Sequence, residues 1–306
     1  MKITSYKQNG VAIIMVMLIV AISSTLAVYI SQQQNFWQRQ IETQFDRTQA
    51  RRLGLTGIDW ARGVLADDLR ANAFDHETEL WTMRLPAMPV ENGEVIGLIE
   101  DRQGRFNLNS IVKSGLTSPA DLAKLQRLLS LLDLPVELAD ALADWIDLDA
   151  EIQIPGGVED AYYLGLSRPY RAANRPLVEF GELARVKGFT PQIMNKLQPF
   201  VVVLPISGAL NVNFISAEVL TAISNMSLSD ARLVVQQRRG KPFTTVAEFK
   251  QHLPNPAISI EDADLAVSSN FFWITGQASV NNSQVITQAL VHRNQGWPKV
   301  IWQSVQ

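Results

Sequence analysis

Val11 to Ile30 is an uncharged run, V-A-I-I-M-V-M-L-I-V-A-I-S-S-T-L-A-V-Y-I. About 20 such residues suffice to cross the hydrocarbon core of a bilayer as a helix. The run follows a short polar leader that carries Lys2 and Lys7 and ends in Asn9-Gly10. The position of Gly10 constrains the chain more than the run itself. An ordinary secretory signal is cut after its apolar stretch, at small residues. A cut after Gly10 instead leaves the helix on the mature protein, with Val11 as its first residue. The alternative is an uncleaved N-terminal anchor. In both cases Lys2, Lys7 and the initial amine keep the leader in the cytoplasm, and the bulk of the chain lies across the membrane.

This arrangement resembles the class III leader of type IV pilins and of the pseudopilins of type II secretion. The resemblance implies a membrane peptidase that cuts after Gly10 and methylates the new amine of Val11. Most such chains carry Phe at the first mature position and Glu at the fifth, where this one has Val11 and Met15.

The 306 residues allow one large or two small folded units beyond the anchor. Formal net charge is −3, and becomes −5 once a leader bearing Lys2 and Lys7 is removed. Nucleic-acid binding relies on basic surface, so an acidic soluble part argues against it. With no cysteine, disulfides, thiolate metal sites and cysteine nucleophiles are excluded. His76, His252 and His292 form no H-E-x-x-H pattern, which argues against a zinc hydrolase.

The helix continues past the membrane. Gln32 to Asp68 has no proline, and Ala50, Leu53, Gly54, Gly57, Ile58, Ala61, Leu65 and Leu69 recur at spacings of three and four. That stripe of mostly small residues suits close packing on a globular head, and Phe36 and Trp37 suit the outer membrane interface. Trp81–Leu85 and Val95–Asp101 read as strands, with Gln103-Gly104 as a turn into Phe106-Asn107-Leu108-Asn109. A mainly helical block then runs from about Ser118 to Asp264. Its helices are expected from Ser118-Pro119 and at 135–147, 178–186, 190–198, 216–224, 228–238 and 244–252. Strands return at 271–280, 283–293 and 299–303, separated by Asn281-Asn282 and Asn294-Gln295-Gly296. Helices between two strand-rich segments suggest an insertion into one sheet domain, with a second independent domain as the alternative.

The densest polar cluster is Asp144-Trp145-Ile146-Asp147-Leu148-Asp149-Ala150-Glu151, followed by Pro155-Gly156-Gly157-Val158-Glu159-Asp160-Ala161-Tyr162-Tyr163. Calcium takes six to eight oxygen ligands, which clustered carboxylates on a turning loop can supply. An EF-hand is excluded, because Ile152 and Val158 stand where it needs Gly and a bidentate Glu. A non-standard calcium loop using Asp147, Asp149, Glu159 and Asp160 is one reading. A solvated acidic turn, with Asp144 and Asp160 capping helices, is the other. Paired carboxylates also admit a glycosidase, but nothing here suggests a sugar cleft. Leu210 to Leu220 and the segment from Leu228 to Phe249 resemble the helix-hairpin-helix repeat of DNA-binding proteins, with a weaker copy from Phe106. The turn Asn225-Met226-Ser227-Leu228-Ser229 lacks the glycines that let a phosphate approach the backbone, so both copies read as scaffold.

Taken together, the chain resembles the K-type minor pseudopilins of type II secretion (general secretion pathway protein K) over nearly its whole length. The leader, Asp144-Trp145-Ile146-Asp147-x-Asp149 and Gly156-Gly157-Val158-Glu159-Asp160-x-Tyr162-Tyr163 carry the likeness. Tyr170-x-x-x-Asn174-x-Pro176-Leu177, Glu182-Leu183 and Asn211-Val212-Asn213 add to it. The resemblance implies an α+β fold in which a pilin-like long N-terminal helix packs on an antiparallel sheet. A large helical (helix-hairpin-helix, SAM-like) domain is inserted in that sheet. The expected divisions are a leader at 1–10, a membrane span at 11–30, the first pilin-like part at 31–112, the insert at 113–266 and C-terminal strands at 267–306.

The resemblance further implies structural calcium at the acidic loop, with Asn174 as an added ligand, and no catalysis. It implies an inner-membrane anchor with the soluble domain in the periplasm. Its partners would be the I- and J-type minor pseudopilins, the major pseudopilin and the prepilin peptidase, and not nucleic acid. It also gives Met15 a meaning. A fifth-position Glu neutralises a neighbour's amine inside the membrane, where a lone carboxylate is expensive. A subunit without it can sit at the tip. Three alternatives stand beside this reading. They are a minor pilin of a type IV pilus or competence system, a membrane-anchored DNA receptor, and a tethered enzyme using the acidic loop.

Overall fold

The computed structural model describes residues 9–84, 86–255, 258 and 260–306. Residues 1–8 of the expected leader therefore lie outside it, and Gly10 and Val11 fall in the first turn of the long helix α1 (Asn9–Ala71). From Val11 to Ile30 the large apolar side chains of α1 are 46 to 69% exposed, and Phe36, Trp37, Ile41 and Phe45 continue that bare surface. The segment is long and apolar enough to cross a membrane, with a mean hydropathy of 2.7 over its best window.

The second half of α1 lies on a five-stranded sheet of β1 (Met88–Val90), β2 (Gly93–Asp101), β3 (Phe271–Val280), β4 (Ser283–His292) and β5 (Lys299–Val305), in that spatial order. Every neighbouring pair is antiparallel. Asn92 and Asn281 take the positive φ that the tight turns require, at 61° and 48°. Strand alternation sends Val95, Ile99, Phe272, Ile274, Ala278, Ala289 and Val291 toward α1, where they meet Ala50, Ile58, Ala61 and Leu65. The small residues permit close approach. A Cβ on Gly54 would lie 2.5 Å from Thr287 Cγ2, and one on Gly276 would lie 2.7 Å from Thr287 Oγ1. The buried Thr287 hydroxyl lies 3.3 Å from the Gly54 carbonyl and 3.2 Å from that of Gly276. Leu69, the last member of the expected stripe, is 37% exposed, because α1 has by then passed the edge of the sheet.

The strand expected at 81–85 does not form. Leu80–Thr82 is a 3-10 turn, and Leu85 lies outside the described residues. Trp81 is drawn inward instead, edge-on to Phe272 at 5.2 Å, with Nε1 donating to Glu79 Oε2 at 2.8 Å. The insert also starts sooner than 113. The chain leaves the sheet after Asp101, and Phe106-Asn107 pairs in parallel with Val201-Val202. Phe106, Leu108 and Ile111 already belong to the insert's core. That core is built on α2 (Pro119–Leu131), α3 (Leu138–Ile146), α4 (Asp160–Leu164), α5 (Pro191–Leu197), α6 (Ala217–Ser224), α7 (Leu228–Gly240) and α8 (Val246–Gln251). Two Asn-x-Asn segments pin its loops. Asn109 Nδ2 donates to the Leu177 and Leu204 carbonyls at 3.0 and 2.9 Å. Asn213 exchanges two 2.9 Å bonds with the Phe243 backbone.

The end of α1, the segment after it and the approach to β3 meet at Arg293, just past β4. It is 2% exposed and pairs with Asp68 at 2.8 Å and Asp75 at 2.5 Å. It also donates to the Ser269 carbonyl at 2.9 Å. Glu79 closes the group, and one oxygen from each of Asp68, Asp75 and Glu79 lies within 4.8 Å of the others. Arg293 already supplies the cation there, and Glu79 takes hydrogen bonds from His76 N and Asn72 Nδ2 as well as from Trp81. Burial, with Asp68 and Asp75 adding to it, pushes the Glu79 carboxyl from 4.5 to about 7. A raised carboxyl favours the protonated folded state. Its contribution is complete below pH 4.5 and is lost as pH rises through about 7. In thermal melts of the full chain in detergent, at constant calcium, Glu79→Gln is therefore expected to flatten the fall in Tm between pH 5 and 8. A variant that falls as steeply as the parent would contradict this.

Candidate metal centre

The acidic loop begins where α3 ends. Asp147 caps that end, its N–H bonded to the Ala143 carbonyl at 2.9 Å, and is fully buried. Asp147 Oδ2 accepts from the Thr117 hydroxyl at 2.9 Å, while Oδ1 is buried without a partner. Glu159 sits just ahead of α4, 8% exposed, with Oε1 likewise buried and unpartnered. Asn174, at φ 43°, is held by its N–H to the Trp145 carbonyl at 3.0 Å, and its Oδ1 is a third orphaned oxygen. Buried polar atoms are seldom left unbonded. Three orphaned oxygens on one loop system, and no orphaned donor among those three residues, form a set that a hard cation would satisfy.

Asp144 belongs with them, although the sequence reading gave it only a capping role. It lies inside α3, fully buried, and among the described residues its oxygens accept the Gln153 N–H alone, at 3.1 and 3.3 Å. The signal that could have found it is the spacing from Asp147. Three residues on a helix put both carboxylates on one face. The glycine pair makes room for them. A Cβ on Gly157 would sit 2.2 Å from Asp144 Oδ2, and one on Gly156 would sit 2.4 Å from the Glu137 carbonyl. Asp149 is half-buried and turns the loop by accepting from Glu151 N at 2.8 Å. Its charge is felt by Asp144, Asp147 and Glu159.

Asp160 is the exception among the expected ligands. Its Oδ1 accepts from Ala172 N at 3.0 Å, and Oδ2 faces the Arg171 side chain at 3.7 Å, so its carboxylate is already occupied. Both partners lie past the end of α4, on the segment that leads to Asn174. Asp144, Asp147, Asp149 and Glu159 thus lie close enough to act on one another's charge, Asn174 is tied to the end of α3 through Trp145, and Asp160 bonds elsewhere.

Burial and mutual repulsion dominate the electrostatics. Burial, with Asp147, Asp140 and Asp149 adding to it, pushes Asp144 up to about 6. Burial, with Asp149 adding, brings Asp147 to about 6. Glu159 rises to about 7, from burial and then from Asp144, Asp147 and Asp149. The causes of these shifts include no cationic side chain among the described residues. Aromatic packing walls the site. Trp145 meets Tyr163 edge-on at 5.0 Å and Tyr170 at 6.1 Å, and the Tyr170 hydroxyl donates to the Arg185 carbonyl at 2.8 Å.

The helical hairpin is engaged elsewhere. Asn225, at φ 59°, ends α6, and Ser227 starts α7 by accepting from Asp230 N at 3.1 Å. Arg238, which a phosphate-binding hairpin would need at its surface, is buried. It donates to the Val212 carbonyl at 2.9 Å and pairs with Glu77 at 2.8 Å.

A long apolar helix lying on an antiparallel sheet is the pilin-like plan, and here a helical domain is inserted between the strands. Two family models described as type II secretion system (T2SS), protein K match residues 104–206 and 210–268. The type II secretion system protein K of Pseudomonas aeruginosa is 32% identical over 94% of this chain and 89% of its own. That of Pectobacterium carotovorum is 29% identical, covering 94% and 93%. A chain from the crystal structure of the GspK-GspI-GspJ complex of enterotoxigenic Escherichia coli superposes with a TM-score of 0.76 at 26% identity. The match covers 87% of this chain and 99% of that one. The chain belongs to the type II secretion system protein K family, and is a minor pseudopilin.

Proposed function

We propose that this minor pseudopilin crowns the tip of the type II secretion pseudopilus and helps to start its assembly, and so the export of folded proteins. The observation that carries this reading is the bare first half of α1. From Val11 to Ile41 it has no acidic residue, and among the described residues nothing covers its large apolar side chains. Such a surface must be covered by lipid or by other helices, and without a carboxylate near its start it has no group to receive a neighbour's amine. The bulk of the insert, held at the end of α1 far from the membrane span, supports a terminal place, because it would crowd a helical shaft. The J- and I-type minor pseudopilins fit as partners, since the structural relative comes from such a complex. The prepilin peptidase would cut between Gly10 and Val11, and the soluble part would face the periplasm. The role is one of assembly, without catalysis.

The acidic loop has a structural part in this reading. Asp144, Asp147, Asp149, Glu159 and Asn174 would hold calcium, which would cancel their repulsion and fix α3 to the loop before α4. A ligand that binds only the folded state at about 100 times its Kd adds roughly 2.7 kcal/mol. For a domain of this size that amounts to a rise in Tm of about 5 °C. Full chain in detergent, freed of metal by chelation, is expected to melt at least that much higher in calcium. Asp147→Asn and Glu159→Gln should each shrink the rise. Equal Tm with and without calcium in the parent would refute the site.

Mass measurement of the protein from cells with and without the prepilin peptidase tests the processing step. The expected mature chain begins at Val11 and carries one methyl group, and the chain from peptidase-deficient cells begins at Met1. A chain beginning at Met1 in both would overturn the reading.

A further inference from the structure

On the face of the sheet turned away from α1, a crevice of about 280 Å³ opens where the insert meets the strands. Its floor is Trp273 of β3 and Trp302 of β5, stacked with centroids 5.2 Å apart and planes at 21°, with Leu290 of β4 paired across to both. Phe180 and Val202 of the insert form the facing wall. The crevice lies at the end of the sheet where α1 finishes. There Leu65 packs near Phe272 and Val291, while Ala50, nearer the membrane span, packs at the other end near Val280 and Val285.

One wall is charged and short of acceptors. The Arg102 guanidinium lies 5.1 Å from the Trp273 ring centroid, with its side chain 13% exposed. Its hydrogen bonding among the described residues is a single 3.3 Å contact to Glu100 Oε2, and Arg105 shares the same glutamate at 3.8 Å. A guanidinium carries five N–H donors, so most of those on Arg102 have no partner among the described residues. Burial, with Arg105 beside it, lowers its pKa to about 10, as expected of a cation with too little counter-charge. Glu179, on the insert side, is exposed. A donor-rich edge beside an aromatic floor calls for a ligand that is anionic at one point and apolar next to it.

We infer that the crevice captures the C-terminal residue of a partner polypeptide, with its carboxylate on Arg102 and its bulky apolar side chain on the Trp273–Trp302 stack. A chain terminus is the part of a protein that carries a carboxylate and a large apolar group on one carbon. The short span from the guanidinium to the stack matches that separation. The crevice is too small for a folded element and stands well away from the bilayer. Arginine meets a carboxylate with two parallel charge-assisted hydrogen bonds, which a terminal amide cannot reproduce.

The test is fluorescence anisotropy of labelled Gly-Ser-Gly-Ser-Leu-Phe against the full chain in detergent micelles. The probe is used as the free acid, as the terminal amide, and as the free acid with Gly-Gly in place of Leu-Phe. The free acid should bind at least about tenfold more tightly than either other form. Arg102→Gln should erase the preference for acid over amide at unchanged Tm, and Trp302→Ala should weaken the Leu-Phe acid toward the Gly-Gly acid. Equal binding of acid and amide by the parent chain overturns the inference, as does a preference that survives Arg102→Gln. Equal binding of the two acids, with displacement by inorganic phosphate, would assign the crevice to a plain anion and also overturn it.

Discussion

Apolar surface removed from water stabilises by about 25 cal/mol per Å², and the first half of α1 removes none of it within its own chain. From Val11 to Ile30 every large apolar side chain stands open. The same helix, without a break, turns to a different surface after Phe45. Ala50, Ile58, Ala61 and Leu65 are buried against the sheet. One rigid rod thus has two environments, and the head can only be where the second half of the rod holds it. That explains the small residues at the contact. At Gly54 and Gly276 only the Thr287 side chain stands between helix and sheet, and a Cβ on either glycine would push them apart.

The far end of the rod carries the insert, and that joint is polar. Arg293, Asp68, Asp75 and Glu79 are drawn from the end of β4, the end of α1 and the segment that follows it. A buried ion pair is weak evidence for stability, but removing one partner leaves an unpaired buried charge, at about 3–5 kcal/mol. Such a joint resists sliding, because a shift of one residue strands a charge. Arg238, bonded to the Val212 carbonyl and to Glu77, adds a second tie between the insert and the segment after α1. A head held in this way fixes the direction of the insert relative to the rod.

Much of this was legible in the sequence because it is local. The uncharged run, the period of α1, the Asn turns of the last hairpin and the capped helices of the insert all have short-range causes. The misses have long-range ones. Trp81 left its expected strand for Phe272, almost two hundred residues away in the chain. Phe106 to Ile111 joined the insert because Val201-Val202 pairs with them. Arg293 gave no signal at all, since its partners lie at 68 and 75. At the acidic loop, type and spacing single out Asp147, Asp149 and Glu159, and only the family resemblance adds Asn174. Asp144 was hidden in an apolar helix, flanked by Ala143 and Trp145, where it read as a cap. Asp160 shares the sequence cluster yet bonds to Ala172 N, because neighbours in sequence need not face one point in space.

A position at the end of a filament is the claim on which the account turns, and it can be seen directly. Pseudopili carrying this chain with an epitope after Gln306 can be isolated and labelled with gold-conjugated antibody for electron microscopy. The account expects gold at one end of each filament and bare flanks. Gold spaced along the flanks would contradict it.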